Sequence, residues 1–168
     1  ESPFVVMKAL IHAAGPYSIP NIFVRSTAYY TNKTYAGAFR GFGVPQVTFA
    51  SEAQLQEGAD KLGIDSLEIR ANNALKPGDS TSTSQVLEDS VGIKQTIEAV
   101  ADRVSKLDFS GDGIKEDDCY LYGTGYASVI QGISHGAEGI HVVGASVQMS
   151  QDGSVVVGSA LTELGQGS

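Results

Sequence analysis

Apolar positions along the chain recur with two different periods, and the change between them predicts its organisation. Residues 4–14 read as a short helix closed by Gly15-Pro16, a common stop signal. Pro20 starts an extended run from Ile22 to Tyr30, rich in β-branched and aromatic residues. Tyr35 to Gly43 is small and Gly-rich and predicts a loop. Pro45 then stands where a first helical residue would, and Leu55, Ala59 and Leu62 share one face of the helix that follows, up to Gly63. Asp65-Ser66-Leu67-Glu68 is a capping box opening a helix to about Leu75, with Pro77-Gly78 after it. Residues 78–90 predict a surface loop. Ile93, Ile97, Val100, Val104 and Leu107 predict a further helix. In the last third the period falls to two. Ala145, Val147 and Met149 alternate, then Val155 and Val157, with Asp152-Gly153 between them as a hairpin signal.

Helices and strands are thus mixed without regular βαβ alternation, which predicts an α+β fold. An acidic, turn-like stretch at 108–118 separates the helical part from the strand-rich part. The expected division is residues 1–115 as the end of one domain and 116–168 as the start of another. Residue 1 is Glu, and the chain stops at Gly165-Gln166-Gly167-Ser168 directly after a strand-like run, so a piece of a larger protein is expected.

Composition narrows the function. The chain has 168 residues, 42% hydrophobic and 18% charged, which suits a packed core rather than disorder. A net charge of −8 disfavours nucleic-acid binding, which needs a basic face. The single Cys119 excludes an internal disulfide, fits a reducing cytoplasmic setting, and cannot hold zinc or an Fe–S cluster unaided. The apolar stretch Phe4–Ile11 is too short to span a membrane and has no basic region before it. Asn32-Lys33-Thr34 matches a glycosylation sequon, but nothing else in the sequence points to secretion.

The most informative stretch is Ala36-Gly37-Ala38-Phe39-Arg40-Gly41-Phe42-Gly43-Val44-Pro45-Gln46. It is a loop nearly free of side chains leading into a helix N-terminus, a place that offers backbone N–H groups to an anionic or strongly polar ligand. Arg40 adds a planar fork of donors, and Phe42 presents a ring between two glycines. Two readings stay open on physical grounds. The ring contacts a flat ligand, or it plugs the core while Arg40 caps a neighbour.

Ala38-Phe39-Arg40-Gly41-Phe42-Gly43-Val44-Pro45-Gln46 resembles the signature of the molybdenum hydroxylases, the xanthine dehydrogenase and aldehyde oxidase family. Ile19-Pro20-Asn21 lies upstream at the family's distance from Arg40, and Thr162-Glu163-Leu164-Gly165-Gln166-Gly167 resembles a further family segment downstream. The three landmarks span most of the chain in the right order. The resemblance implies part of a molybdopterin-binding subunit, with molybdenum-molybdopterin as cofactor. Phe39, Arg40 and Gly41 would lie against the cofactor, Gln166 near the molybdopterin, and Phe42 against the substrate. It further implies hydroxylation of an electron-poor carbon with water as the oxygen source, on a nitrogen heterocycle such as a purine or nicotinate-like ring. Aldehyde oxidation is the alternative within the family, and a non-catalytic fragment that binds no cofactor alone is the alternative outside it. Partners implied are the rest of the molybdopterin subunit and the domains or subunits that carry Fe–S clusters and FAD.

Some positions depart from the pattern. Lys8 stands where xanthine-type members carry a substrate-orienting arginine, keeping the charge but losing bidentate geometry. His135-Gly136 replaces a Phe-Thr pair beside the substrate, making His135 a candidate contact. Gly41-Phe42 argues against the carbon monoxide dehydrogenase branch, which has Cys-Ser there. The family's catalytic glutamate lies near the C-terminus of the whole protein, and neither Glu138 nor Glu163 has its context, so no catalytic residue is assigned. Asp108, Ser110, Asp112 and Gly113 begin a calcium-loop pattern, but Cys119 stands where the closing glutamate belongs, so a solvated acidic turn is the better reading. His12 on an apolar helix reads as a satisfied core histidine, and Cys119 as a small buried hydrophobe. Gly123-Thr124-Gly125 lacks the third glycine and the following helix of a nucleotide-binding loop.

Overall fold

The computed structural model describes residues 3–107, 114–116, 121–132, 142–161, 163 and 167. It contains helices α1 (Pro3–Ile11), α2 (Val44–Leu62), α3 (Ser66–Asn73) and α4 (Ile93–Ser105), and strands β1 (Ile114–Glu116), β2 (Leu121–Gly123), β3 (Ala145–Met149) and β4 (Val155–Ser159). This is an α+β fold, as the mixed periods predict. The four helices pack in chain order, each against the next. β1 pairs with β2 and β3 with β4, both antiparallel and two-stranded. The expected division at 115/116 falls within β1. Among the described residues, no helix is long and apolar enough to cross a membrane.

The local signals act where the sequence places them. Asp65 caps α3, its carboxylate accepting from Leu67 N and Glu68 N, each at 2.9 Å. Gly63 closes α2 in a left-handed conformation that a side chain would strain. The hairpin register runs from Ala145 opposite Ser159 to Met149 opposite Val155. Its turn is locked by Asp152, which accepts from Ser154 N at 3.0 Å and Ser154 Oγ at 2.7 Å. These two bonds hold the Asp152 carboxyl below its ordinary pKa.

One expectation is corrected. The run from Ile22 to Tyr30 pairs with no strand among the described residues and is almost entirely exposed. β-branched and aromatic residues favour a strand only when a ladder partner is available. The segment 78–90 is the surface loop expected, mostly exposed, and is folded back on itself by a Ser80–Val86 bridge and by bonds from Gly78 N to Leu87 O and from Thr81 N to Gln85 O.

The core lies between α1, α2, α3 and the stretch after α1. Val5, Val44 and Ala59 are almost fully buried, as are Pro16 and Leu75. Between them lies a polar cluster. Arg70 is 1% exposed, and its Nε donates to Glu52 Oε2 at 2.8 Å. Arg70 Nη1 donates to Ser66 O at 2.7 Å and Nη2 reaches Glu52 O at 3.4 Å. The Tyr17 hydroxyl donates to Glu52 Oε1 at 2.5 Å. Burial, then the Glu52 carboxylate, holds that hydroxyl well above the ordinary phenol range, partly offset by a hydrogen bond from Ser128. The cluster joins α2, α3, the Tyr17 stretch and the segment around Ser128. No buried side-chain polar atom among the described residues lacks a partner.

α1 meets α2 at one glycine. Gly43 precedes α2 with φ +96°, and a Cβ there would fall 2.2 Å from Val5 O and 3.2 Å from Ala9 N. Only glycine lets α2 begin this close to α1.

Two predictions follow from the packing. Arg70→Met strands the Glu52 carboxylate, so unfolding in urea should show a loss of about 3–5 kcal/mol, partly recovered by adding Glu52→Leu. A loss below about 1 kcal/mol for the single change would rank the pair with exposed ion pairs and reject its central role. Gly43→Ala should cost at least about 1–3 kcal/mol from backbone strain alone. Gly58→Ala, inside α2 where a Cβ meets nothing within 4 Å, should instead gain about 0.5–1 kcal/mol. Equal effects at the two glycines would remove the close approach as the cause.

Candidate functional site

The loop before α2 is built from three consecutive left-handed residues: Gly41 at φ +88°, Phe42 at +51° and Gly43 at +96°. Phe42 N donates to Phe39 O at 2.8 Å and Val44 N to Gly41 O at 3.1 Å, so the chain makes two tight turns before the helix begins. A Cβ on Gly41 would fall 2.4 Å from Pro45 Cγ. Gly41 and Gly43 are thus both required by space as well as by φ. Phe42 holds a backbone conformation rarely adopted by a side-chain-bearing residue, a kind of strain that concentrates at functional sites.

This geometry turns side chains outward. Phe39 is 84% exposed, Arg40 is exposed, and Phe42 is half-buried. Phe42 is the least exposed of the three, so both readings of its ring, ligand contact and core plug, stand. α2 offers no side-chain cap at its N-terminus, and Pro45 within its first turn carries no N–H. Arg40 stands four residues before the first residue of this 19-residue helix, whose N-terminus is its positive end. That donor set suits an anionic or strongly polar ligand.

Lys8 and His12 lie four residues apart on one face of the α1 turn. Both are buried, and both bond Gly132, more than a hundred residues away in sequence. Lys8 Nζ donates to Gly132 O at 3.0 Å, and Gly132 N donates to His12 Nε2 at 2.8 Å. The other ring nitrogen, Nδ1, lies 2.8 Å from Lys8 O, which can only accept. The ring is therefore neutral, with its proton on Nδ1. Burial lowers the His12 pKa, as does the Lys8 ammonium, and the bond to Lys8 O opposes them. Burial also lowers the pKa of Lys8.

The structure brings Phe39, Arg40, Gly41 and Phe42 together in one loop seated on α1, and places Lys8 on that same helix. Gln166 and His135 lie outside the described residues, as do Cys119, Glu138 and the acidic residues 108–113. Of the downstream landmark, Glu163 and Gly167 are described. Glu163 Oε1 accepts from Gly167 N at 3.1 Å. The Gly132 contacts and the Tyr17–Glu52–Arg70 cluster were not anticipated from sequence. One signal was available for the cluster. Glu52 sits three and seven residues before Leu55 and Ala59, on the apolar stripe of α2, where a charge needs a buried partner. A polar groove of about 670 Å³ opens between Ser18–Phe23 and the 80–84 loop, and none of the expected site residues lines it. Among the described residues, no group of three or more His, Cys, Asp or Glu converges to hold a metal ion.

Comparison with known proteins supplies the context. Residues 1–74 match the family described as the molybdopterin cofactor-binding domain. The chain is 44% identical over 105 residues to the nicotinate dehydrogenase large molybdopterin subunit of Eubacterium barkeri, covering 62% of this chain and 25% of that protein. It is 34% identical over 165 residues to a probable xanthine dehydrogenase subunit of Bacillus subtilis strain 168, covering 98% of this chain and 22% of that one. The crystal structure of the aldehyde oxidoreductase from Desulfovibrio desulfuricans ATCC 27774 superposes with a TM-score of 0.63 at 24% identity, over 92% of this chain and 17% of that chain, and so shares the fold. The chain spans a quarter or less of the length of each of these proteins. With its signature loop built as described and its first 74 residues matching the cofactor-binding domain, the chain belongs to the molybdenum hydroxylase family.

Proposed function

We propose that this chain forms one wall of the cofactor and substrate site of a molybdenum hydroxylase that oxidises a nitrogen heterocycle, with water as the oxygen source. The carrying observation is the left-handed Gly41-Phe42-Gly43 loop, locked onto α1, which exposes Phe39 and Arg40 at the N-terminus of α2. The 44% identity to a nicotinate dehydrogenase subunit favours a heterocycle over an aldehyde.

The residues present fit molybdopterin. Its phosphate and pterin oxygens need donors, and Arg40 with the backbone of Phe39 and Gly41 offers them from a loop without bulky side chains. Gln166 would add a further amide contact. When bound, the cofactor supplies a Lewis acid and an electron acceptor. The chain's own residues bind and orient. Arg40 anchors the anionic part of the cofactor. Phe42 gives a flat apolar surface against which an aromatic substrate ring stacks. Electrons leave through Fe–S clusters and FAD on partner domains or subunits. The segment from about residue 116 onward would open a second molybdopterin-binding domain, and the enzyme would work in the cytoplasm.

The test is molybdenum and pterin content of the full-length gene product, with turnover of nicotinate, xanthine and an aliphatic aldehyde. Cofactor with a preference for the heterocycles is expected. Cofactor with a preference for the aldehyde would move the reading to aldehyde oxidation, and absence of both metal and pterin would reject it. In that enzyme Phe42→Ala should raise KM about tenfold, the scale of one lost aromatic contact, with molybdenum content unchanged. An unchanged KM with lost metal would assign the ring to cofactor retention instead. Gln166→Ala should lower pterin content per protein, and full retention would remove Gln166 from the cofactor contacts.

A further inference from the structure

The segment 124–132 is tied to the helical core at two points. Ser128 is buried and bonds the Tyr17 hydroxyl, and Gly132 is held on both its N–H and its carbonyl by α1. The second tie is the unusual one. Two buried side chains, one cationic, converge on the backbone of a single exposed glycine. A Cβ there would lie 3.1 Å from His12 Nε2 and 3.6 Å from Lys8 Nζ. The helix that supplies both groups also carries the Gly43 contact, through Val5 and Ala9.

We infer that Lys8 and His12 are a positioning pair, clamping Gly132 so that Gln131 beside it stands at a set place relative to the Phe42 loop. α1 is then the shared ruler between Gln131 and that loop. The clamp needs His12 neutral, because Nε2 must accept. Protonation would set a donor against the Gly132 N–H and a second positive charge beside Lys8. The folded-state pKa of His12 lies below its ordinary 6.5, so the clamp is complete above pH 6.5 and weakens as pH falls from 6.5 through the lowered folded value. This role rests on the proposed function, whereas the clamp itself does not.

The experiment uses the full-length protein and the variants His12→Phe, His12→Gln and Lys8→Met. Phe removes the acceptor, whereas Gln keeps an oxygen that can take the place of Nε2. Deuterium exchange at the Gly132 amide should quicken about tenfold in His12→Phe and return toward the wild-type rate in His12→Gln. With nicotinate as the probe, His12→Phe and Lys8→Met should raise KM about tenfold, keep kcat within about twofold and keep molybdenum content. Wild-type KM should climb as pH drops below 6.5, and His12→Gln should lack that climb. Unchanged exchange in His12→Phe overturns the clamp. Quickened exchange with unchanged KM, or kcat and metal lost together with no rescue by Gln, overturns the positioning role. A wild-type protein without molybdenum and without turnover would sink the functional reading and the positioning role with it, while the exchange rates still decide the clamp.

Discussion

Glu52 and Arg70 form an ion pair with almost no access to water, and α2, α3 and the Tyr17 stretch all meet at it. Such a pair is tolerable only when nearly every donor and acceptor on it is used. Here the guanidinium spans from α3 to α2, the carboxylate accepts from Tyr17, and Ser128 reaches the same hydroxyl. The geometry leaves α2 little freedom to slide or rotate against α3. A purely apolar contact of the same size would be less particular about register, since burial of apolar area has no direction.

That constraint reaches the site through α2. The helix is held at its middle by Glu52, and its N-terminus meets α1 at Gly43. Between these two contacts the direction of α2 is set, and with it the left-handed loop that turns Phe39 and Arg40 outward. Lys8 on α1 and His12 just after it hold Gly132. The candidate loop is therefore placed by contacts made elsewhere in the core. Such an arrangement suits a large, polar, partly anionic cofactor, which is recognised through many N–H groups and few side chains.

Much of this was legible beforehand, for local reasons. The Asp65 cap, the Gly63 stop and the Asp152-Gly153 turn act within a few residues, so their chemistry is written in the immediate neighbourhood. The loop around Phe42 was legible for a similar reason, since its glycines are demanded by φ at each position. The run from Ile22 to Tyr30 misled because strand propensity states a preference for a partner without supplying one. Val100 keeps the helical period of α4 yet stays half exposed, since periodicity names a face but not what covers it.

By itself, then, the sequence determined the four helices, the Asp152-Gly153 hairpin, the loop before α2 and the family that the loop resembles, because each depends on short-range backbone chemistry or on residues in a row. Only the tertiary structure decided that Glu52 would find Arg70, that α2 would begin against the Val5 carbonyl, and that Lys8 would turn to Gly132. Those contacts join residues as far as 124 positions apart. No local rule pairs them. They exist because the packed core leaves each buried polar group one place where its hydrogen bonds can be made.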